Sequence, residues 1–292
     1  MNLKAKLSFH RWNIGFIEKP ANEIVSTDKT AVKWLKHNYY DRFFADPFIL
    51  DHNENIIEVL VEEYPFFSRK GIISLLTIDR MTFELKDKRT IIDQPYHQSY
   101  PFILRLKDKT YIIPEASESG ALWYYELRDG DALDRQVLIN EPLLDSTIIK
   151  KGDKWWLFAT KRGDNSNKDL YIYKSENPLN GYSPLRNTPV KSDLSSSRPA
   201  GYPIEINGQL YRVTQDCSRT YGGGINLTEI KEMSEDNFCE RICHPVITDL
   251  GEFNEGFHTI NEFNGLTVVD GIKSEFRPLK KILMTLKSHI RN

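Results

Sequence analysis

Apolar residues in this chain fall in short runs, and the runs recur in pairs. Five segments share one plan: a polar start, an apolar strand, a polar turn, then a second apolar or aromatic strand with a polar end. The first is Asp46-Pro47-Phe48-Ile49-Leu50, the turn DHNEN, and IIEVLVEE ending on Glu62 and Glu63. The second opens Tyr100-Pro101-Phe102-Ile103-Leu104, turns at KDK, and ends TYIIPE on Glu115. Asp145-Ser146-Thr147-Ile148-Ile149, KKGDK and WWLFAT form the third, ending on Thr160. The fourth runs Gly201-Tyr202-Pro203-Ile204-Glu205, INGQ, LYRVTQD to Gln215 and Asp216, and the fifth Phe257-His258-Thr259-Ile260, EFNG, LTVVDG to Asp270.

The starts at 46, 100, 145, 201 and 258 lie 54, 45, 56 and 57 residues apart. A period near ~50 residues made of short strands is the signature of propeller blades, each a small antiparallel sheet. Further strands between the hairpins (ISLLTID with FELKDK, ALWYYELR with DRQVLI, and DLYIYKS) supply the outer strands a blade needs. The pattern predicts an all-β fold, a five-bladed β-propeller forming a single domain over residues 1–292. A two-sheet sandwich leaves the recurring period unexplained. Two stretches depart from the repeat. Residues 22–41 read as a short helix or a long loop. Residues 278–290 carry leucine and isoleucine at helical spacing and predict a short C-terminal helix packed on the propeller. Its basic polar face makes a membrane or partner surface the lesser alternative.

Composition narrows the function classes. The chain is 40% hydrophobic and 12% aromatic, enough to fill a sizeable core, so general disorder is not expected. The 39 Lys+Arg and 41 Asp+Glu nearly cancel, which points away from nucleic acid or an anionic membrane as the main partner. The N-terminal MNLKAKLSFHRWNIGF lacks the apolar run of a signal peptide. Nowhere do the ~18 apolar residues of a membrane span occur together. Cys239 and Cys243, followed by His244, resemble half of a metal cluster, but no second ligand pair at zinc spacing follows. With Cys217 they read as buried or free thiols, and the expected compartment is the cytoplasm.

In a propeller the innermost strand of each blade lines the central channel, so polar residues recurring at equivalent blade positions converge there. The blade starts offer Asp46, Ser99 or Tyr100, Asp145, Arg198 and His258, and the strand ends offer Glu62 or Glu63, Glu115, Thr160, Gln215 or Asp216, and Asp270. Any one of these suits strand capping. Several converging make a site. Paired carboxylates suit glycosidic chemistry, in which one protonated acid donates to the leaving oxygen while an ionised one attacks or activates water. Crowding like charges separates their pKa values. Arg198, Arg219 and the glycines at 222–224 offer a phosphate contact, although three glycines more often make a turn. His97 and His258 titrate near neutrality and suit either proton transfer or structural hydrogen bonds. Aromatic residues near strand ends, Tyr221 among them, serve as sugar platforms or as core. No cofactor is expected and no metal ligands are assigned; a carboxylate-rich propeller channel can hold calcium, yet no ligand loop of recognisable spacing appears, so a bound metal stays open.

The runs ADPFIL (45–50), HQSYPFI with YIIPEAS (97–117), LLDSTII with WWLFAT (143–160), NPLNGYSP (177–184), YRVTQDCSRTYGGGI (211–225) and GFHTIN with VVDG (256–271) occur in one order. Together they resemble the N-terminal propeller domain of plant glucosamine inositolphosphorylceramide transferases and its bacterial stand-alone or formyltransferase-linked relatives. More distantly the plan is similar to glycoside hydrolase family 43. That resemblance implies Asp46 as general base and Asp145 as the carboxylate that positions it. The family's acid glutamate belongs to the fourth blade, where this chain reads SSRPAGYP with Arg198 and no glutamate; Glu115 is the nearest substitute by chemistry, not by position. The expected catalytic set is Asp46, Asp145 and Glu115. The expected binding set is Glu62, His97, Tyr100, Arg198, Gln215, Asp216, Arg219, Tyr221, His258 and Asp270. Two functions follow: an enzyme acting on a glycan or sugar conjugate, or a silent propeller that binds a sugar, sugar phosphate or nucleotide sugar for a transferase partner.

Overall fold

The computed structural model describes residues 8–25, 30–246 and 249–276. Their strands form five antiparallel sheets of four or five strands, the five blades of a propeller. Blade 1 holds Arg42–His52, Ile56–Pro65, Ile72–Asp79 and Leu85–Ile92. Blade 2 begins with Ser99–Leu106 and Lys109–Glu115, blade 3 with Leu143–Lys151 and Lys154–Lys161, and blade 4 with Ile204–Ile206 and Gln209–Gln215. In each, strands follow the sequence outward from the channel.

Blade 5 is assembled from both ends of the described chain. Its inner strands, Ile260–Phe263 and Leu266–Phe276, come from the C-terminal side, and its third is the N-terminal strand Ser8–Ile17. The register runs from Ser8 opposite Phe276 to Ile17 opposite Thr267, and Lys33–Trp34 adds an outer edge beside Gly15 and Phe16. This shared blade closes the ring. Without it, two sheet edges would carry unpaired backbone groups.

Blades pack face to face, so the apolar core lies in the seams. One cluster joins blades 1, 2 and 3 through Phe48, Phe102, Ile112 and Leu157, and a second joins blades 5 and 1 through Ile14, Phe16, Phe44 and Val59. Because second strands are covered on both faces, Ile57, Val59, Leu60 and Val61 form a nearly unbroken buried run. The stretch 22–41 resolves into a four-residue helix, Ala21–Ile24, and the strand Lys33–Trp34. The helix expected at 278–290 lies outside the described residues. Among those described, no helix is long and apolar enough to cross a membrane. Cys217 is buried, and Cys239 and Cys243 are exposed, all three as free thiols.

Candidate functional site

Three blades start with the same local device. On the inner strand of blade 1, Ala45 lies opposite Glu62 and Phe48 opposite Leu60, so Asp46 and Pro47 form a bulge against one partner. Tyr100-Pro101 and Asp145-Ser146 repeat it. The first residue of each bulge has a left-handed backbone, with φ of 49° at Asp46, 42° at Tyr100 and 47° at Asp145. Non-glycine residues rarely occupy this region, and they persist there when surrounding bonds over-determine it. Here those bonds cross between blades. Asp46 N donates to Asp270 Oδ2 at 3.2 Å, and Tyr100 N donates to Asp46 Oδ2 at 3.2 Å.

Two linked clusters result. In the first, Asp46 Oδ1 accepts the Thr259 hydroxyl at 2.9 Å and lies 3.7 Å from His258 Nε2. His258 Nδ1 pairs with Asp270 Oδ2 at 2.6 Å, while Asp270 Oδ1 accepts the backbone N–H groups of His258 and Thr259 at 3.0 Å each. Trp12, from the closing N-terminal strand, stacks on the His258 ring at 4.0 Å and 11°. In the second cluster, Arg198 Nε donates to Asp145 Oδ2 at 2.5 Å and its guanidinium reaches Glu115 Oε2 at 3.5 Å. Gln215 Nε2 donates to the same Asp145 oxygen at 2.7 Å. Tyr221, 47% exposed, lies over the Arg198 guanidinium at 5.0 Å and meets His258 edge-on at 5.5 Å.

Five carboxylates and two cations share this space, and burial dominates their chemistry. Loss of solvent pushes Asp46 up to about 6; His258 pulls against that shift, and Asp145 and Asp270 add to it. Burial and the neighbouring Asp145 hold Glu115 well above the usual carboxylate range, with Arg198 pulling the other way. Glu62 is also held well above it, by burial and then by Asp46 and Glu115. For His258 burial opposes the charge, but Asp270 and Asp46 outweigh it and raise the imidazole to about 9. At neutral pH the site therefore holds an imidazolium, a guanidinium and carboxyls of divided protonation.

The expected residues separate into those in the two clusters and those beside them. Asp46, Glu115, Asp145, Arg198, Gln215, His258 and Asp270 form the two clusters, Glu62 neighbours them, and Tyr221 lies above. Tyr100 lies beneath the clusters. Its ring is fully buried edge-on against Phe48 and its hydroxyl meets Thr147 Oγ1 at 2.9 Å, so only its backbone N–H serves the site. Asp216 Oδ1 accepts the N–H and hydroxyl of Ser218 and holds the turn after the strand. His97 stands behind Glu62, its Nδ1 accepting the Gly71 N–H at 2.8 Å, with burial keeping it below the usual imidazole range. Arg219 is exposed on the 216–224 loop, with no bond that ties it to either cluster. The glycines there form a turn, and a Cβ on Gly222 would lie 3.1 Å from Trp12 and 3.2 Å from His258.

Trp12 and Thr259 escaped the sequence reading. Trp12 belongs to a segment outside the repeat, and its role exists only once the ring closes. Thr259 had a signal, a hydroxyl beside the histidine that opens blade 5. Asp46, His258 and Asp270 have one donor atom each within 4.8 Å of one another, a set that could hold a metal ion. However, His258 Nδ1 already lies against Asp270, so a metal there would have to displace that proton. A separate cleft of about 960 Å³ opens at the seam of blades 5 and 1, lined by Asn13, Trp34, His37 and Tyr39, and shares only Trp12 with the clusters.

Comparison with known proteins agrees with this architecture. The glucosamine inositolphosphorylceramide transferase 1 of Oryza sativa subsp. japonica is 29% identical over 241 residues, covering 78% of this chain and 31% of that protein. The Arabidopsis thaliana protein is 28% identical over 219 residues, covering 72% and 28%. The chain thus spans under a third of the length of these curated relatives. Among solved structures, Zg3597, a family 117 glycoside hydrolase from Zobellia galactanivorans, superposes with a TM-score of 0.54 at 10% identity over 94% of this chain and 92% of that one. The catalytic domain of Coprinopsis cinerea GH62 alpha-L-arabinofuranosidase gives 0.54 at 11% identity over 78% and 90%. These structures share the propeller fold. Residues 18–266 match the family described as glucosamine inositolphosphorylceramide transferase 1, N-terminal, and the chain belongs to that family.

Proposed function

We propose that the funnel engages a sugar of a glycan or glycolipid and acts on its glycosidic bond. The observation that carries this reading is the meeting of Asp46, Asp145 and Glu115, from three different blades, in one buried site, where burial raises both Asp46 and Glu115 above the usual carboxylate range. Glu115 retains a proton to give to a leaving oxygen, and Asp46, ionised above about 6, takes one from the incoming water or hydroxyl. Asp145, fixed by Arg198 and Gln215, acts as the positioning carboxylate. Tyr221 offers an exposed ring at the mouth for a sugar face. The names of the relatives favour a sphingolipid-linked sugar and a role in glycan assembly.

One observation favours a second reading. Arg198 spans Asp145 and Glu115, the pair that proton donation would need free. A propeller serving a transferase would only bind the sugar there. Asp46→Asn separates the two. Turnover of a glycolipid panel should fall at least ~10²-fold while binding persists, the scale of a lost general base. Unchanged turnover of a confirmed substrate would remove Asp46 from its role.

A further inference from the structure

The strand Ile56–Pro65 turns alternate residues to opposite sides of blade 1. Glu63 lies on one side and is fully partnered: it pairs with Arg42, with Lys88 Nζ at 2.8 Å, and accepts the Ser74 hydroxyl at 2.6 Å. Leu60, Glu62 and Tyr64 share the other side, toward blade 2. Around Leu60 that seam is filled by apolar side chains such as Leu75 and Phe102. Beyond Leu60 the lining changes. Glu62 is followed by the half-buried Tyr64, whose ring stacks at 5.0 Å and 5° on Phe43, its partner across the ladder. His97 approaches both, with Nε2 3.6 Å from Glu62 Oε1 and its ring centre 6.0 Å from that of Tyr64. A Cβ at Gly71 would stand 2.6 Å from Glu62 Oε1 and 2.9 Å from His97 Cε1, so a larger residue there would push the two aside.

Three polar groups on this wall lack a full partner among the described residues. Glu62, 7% exposed, accepts no hydrogen bond, and the Tyr64 hydroxyl makes none. His97 Nδ1 accepts the Gly71 N–H at 2.8 Å, so the neutral ring carries its hydrogen on Nε2, which has only the longer contact with Glu62. All three are uncharged at neutral pH. Burial, then Asp46 and Glu115, holds the Glu62 carboxyl well above the usual range. Burial keeps His97 below the usual imidazole range, and burial and Glu62 raise the Tyr64 hydroxyl against the pull of Arg69. Neutral donors and acceptors left open beside aromatic rings suit an uncharged polar ligand. Glu62 joins this wall to the two clusters, since Asp46 and Glu115 both act on it.

Resting on the sugar-binding reading above, we propose that this wall is a second subsite, in which the sugar next to the one at the clusters lies against Tyr64 and Phe43 and hydrogen-bonds Glu62 and His97. The ligand is then a chain of at least two uncharged sugars, laid along the seam of blades 1 and 2.

Calorimetric titration of the full chain at neutral pH tests this with glucose, galactose and mannose, and with cellobiose, galactobiose and mannobiose. At least one disaccharide should bind about tenfold or more tightly than its own monosaccharide, the scale of one ring contact and one hydrogen bond. Tyr64→Ala should bring that disaccharide to within about twofold of the monosaccharide and leave the monosaccharide itself unchanged within the same margin. Disaccharides that bind no more tightly than monosaccharides, or an advantage that survives in Tyr64→Ala, overturn the proposal while the sugar reading stands. Binding of none removes both. Sedimentation with phosphatidylcholine–phosphatidylserine vesicles that captures the native chain but not Tyr64→Ala overturns it in favour of a lipid surface. Should Tyr64→Ala fail to fold, loss or survival of the disaccharide advantage in His97→Gln decides in its place.

Discussion

His258 offers the sharpest test of the site's electrostatics. Its ring is buried, 2.6 Å from Asp270 and 3.7 Å from Asp46, and these contacts raise it from 6.5 to about 9. A group whose folded pKa exceeds its unfolded value binds its proton more tightly in the native state. Its contribution is fully present below about 6.5 and is lost as pH rises through about 9. At about 1.4 kcal/mol per unit, the span amounts to about 3 kcal/mol. Urea unfolding between about pH 6 and pH 10 reads that loss, and subtracting the same series for His258→Gln removes other titrating groups. The native chain should lose about 3 kcal/mol more than the variant across this range. Imidazole resonances followed by NMR should titrate near 9. Parallel stability curves, or an imidazole that titrates below 7, would refute the ion-pair account.

Other perturbations test separate parts of the structure. Arg198→Gln leaves Asp145 and Glu115 buried without their cation, and denaturant unfolding should show a loss of about 3–5 kcal/mol. Glu63→Gln should cost about 1.5–3 kcal/mol, because it takes the buried carboxylate from Lys88 while Arg42 keeps its pair with Asp41; a loss below about 1 kcal/mol would mean those contacts are screened. Tyr221→Ala should change stability by no more than about 0.5 kcal/mol, since the ring is exposed, yet weaken sugar binding in calorimetry. A chain starting at residue 18 loses the third strand of blade 5 and should lack a cooperative thermal transition.

The polar starts and ends of the blades were readable because a propeller converts a sequence period into radial convergence. Asp46, Asp145, Arg198, Gln215, His258 and Asp270 come together in two clusters for that reason. Strand parity could not choose between Glu62 and Glu63 without register. Nor could it show that the bulge at Tyr100 spends its backbone N–H on Asp46 while the ring turns inward to Phe48.

Five short-stranded repeats, their alternation of apolar and polar positions, and the carboxylates at equivalent blade positions were legible along the chain, since each depends on spacing. Tertiary structure alone decided that Ser8–Ile17 closes the ring and carries Trp12 onto His258. It also decided that Arg198 from blade 4 bridges Asp145 of blade 3 and Glu115 of blade 2. These contacts join residues from 53 positions apart, Arg198 and Asp145, up to Ser8 and Phe276 at the two ends of the described chain, and no local pattern records a partner at that distance. Protonation followed from the same cause, because burial and the charges brought close in space set each pKa.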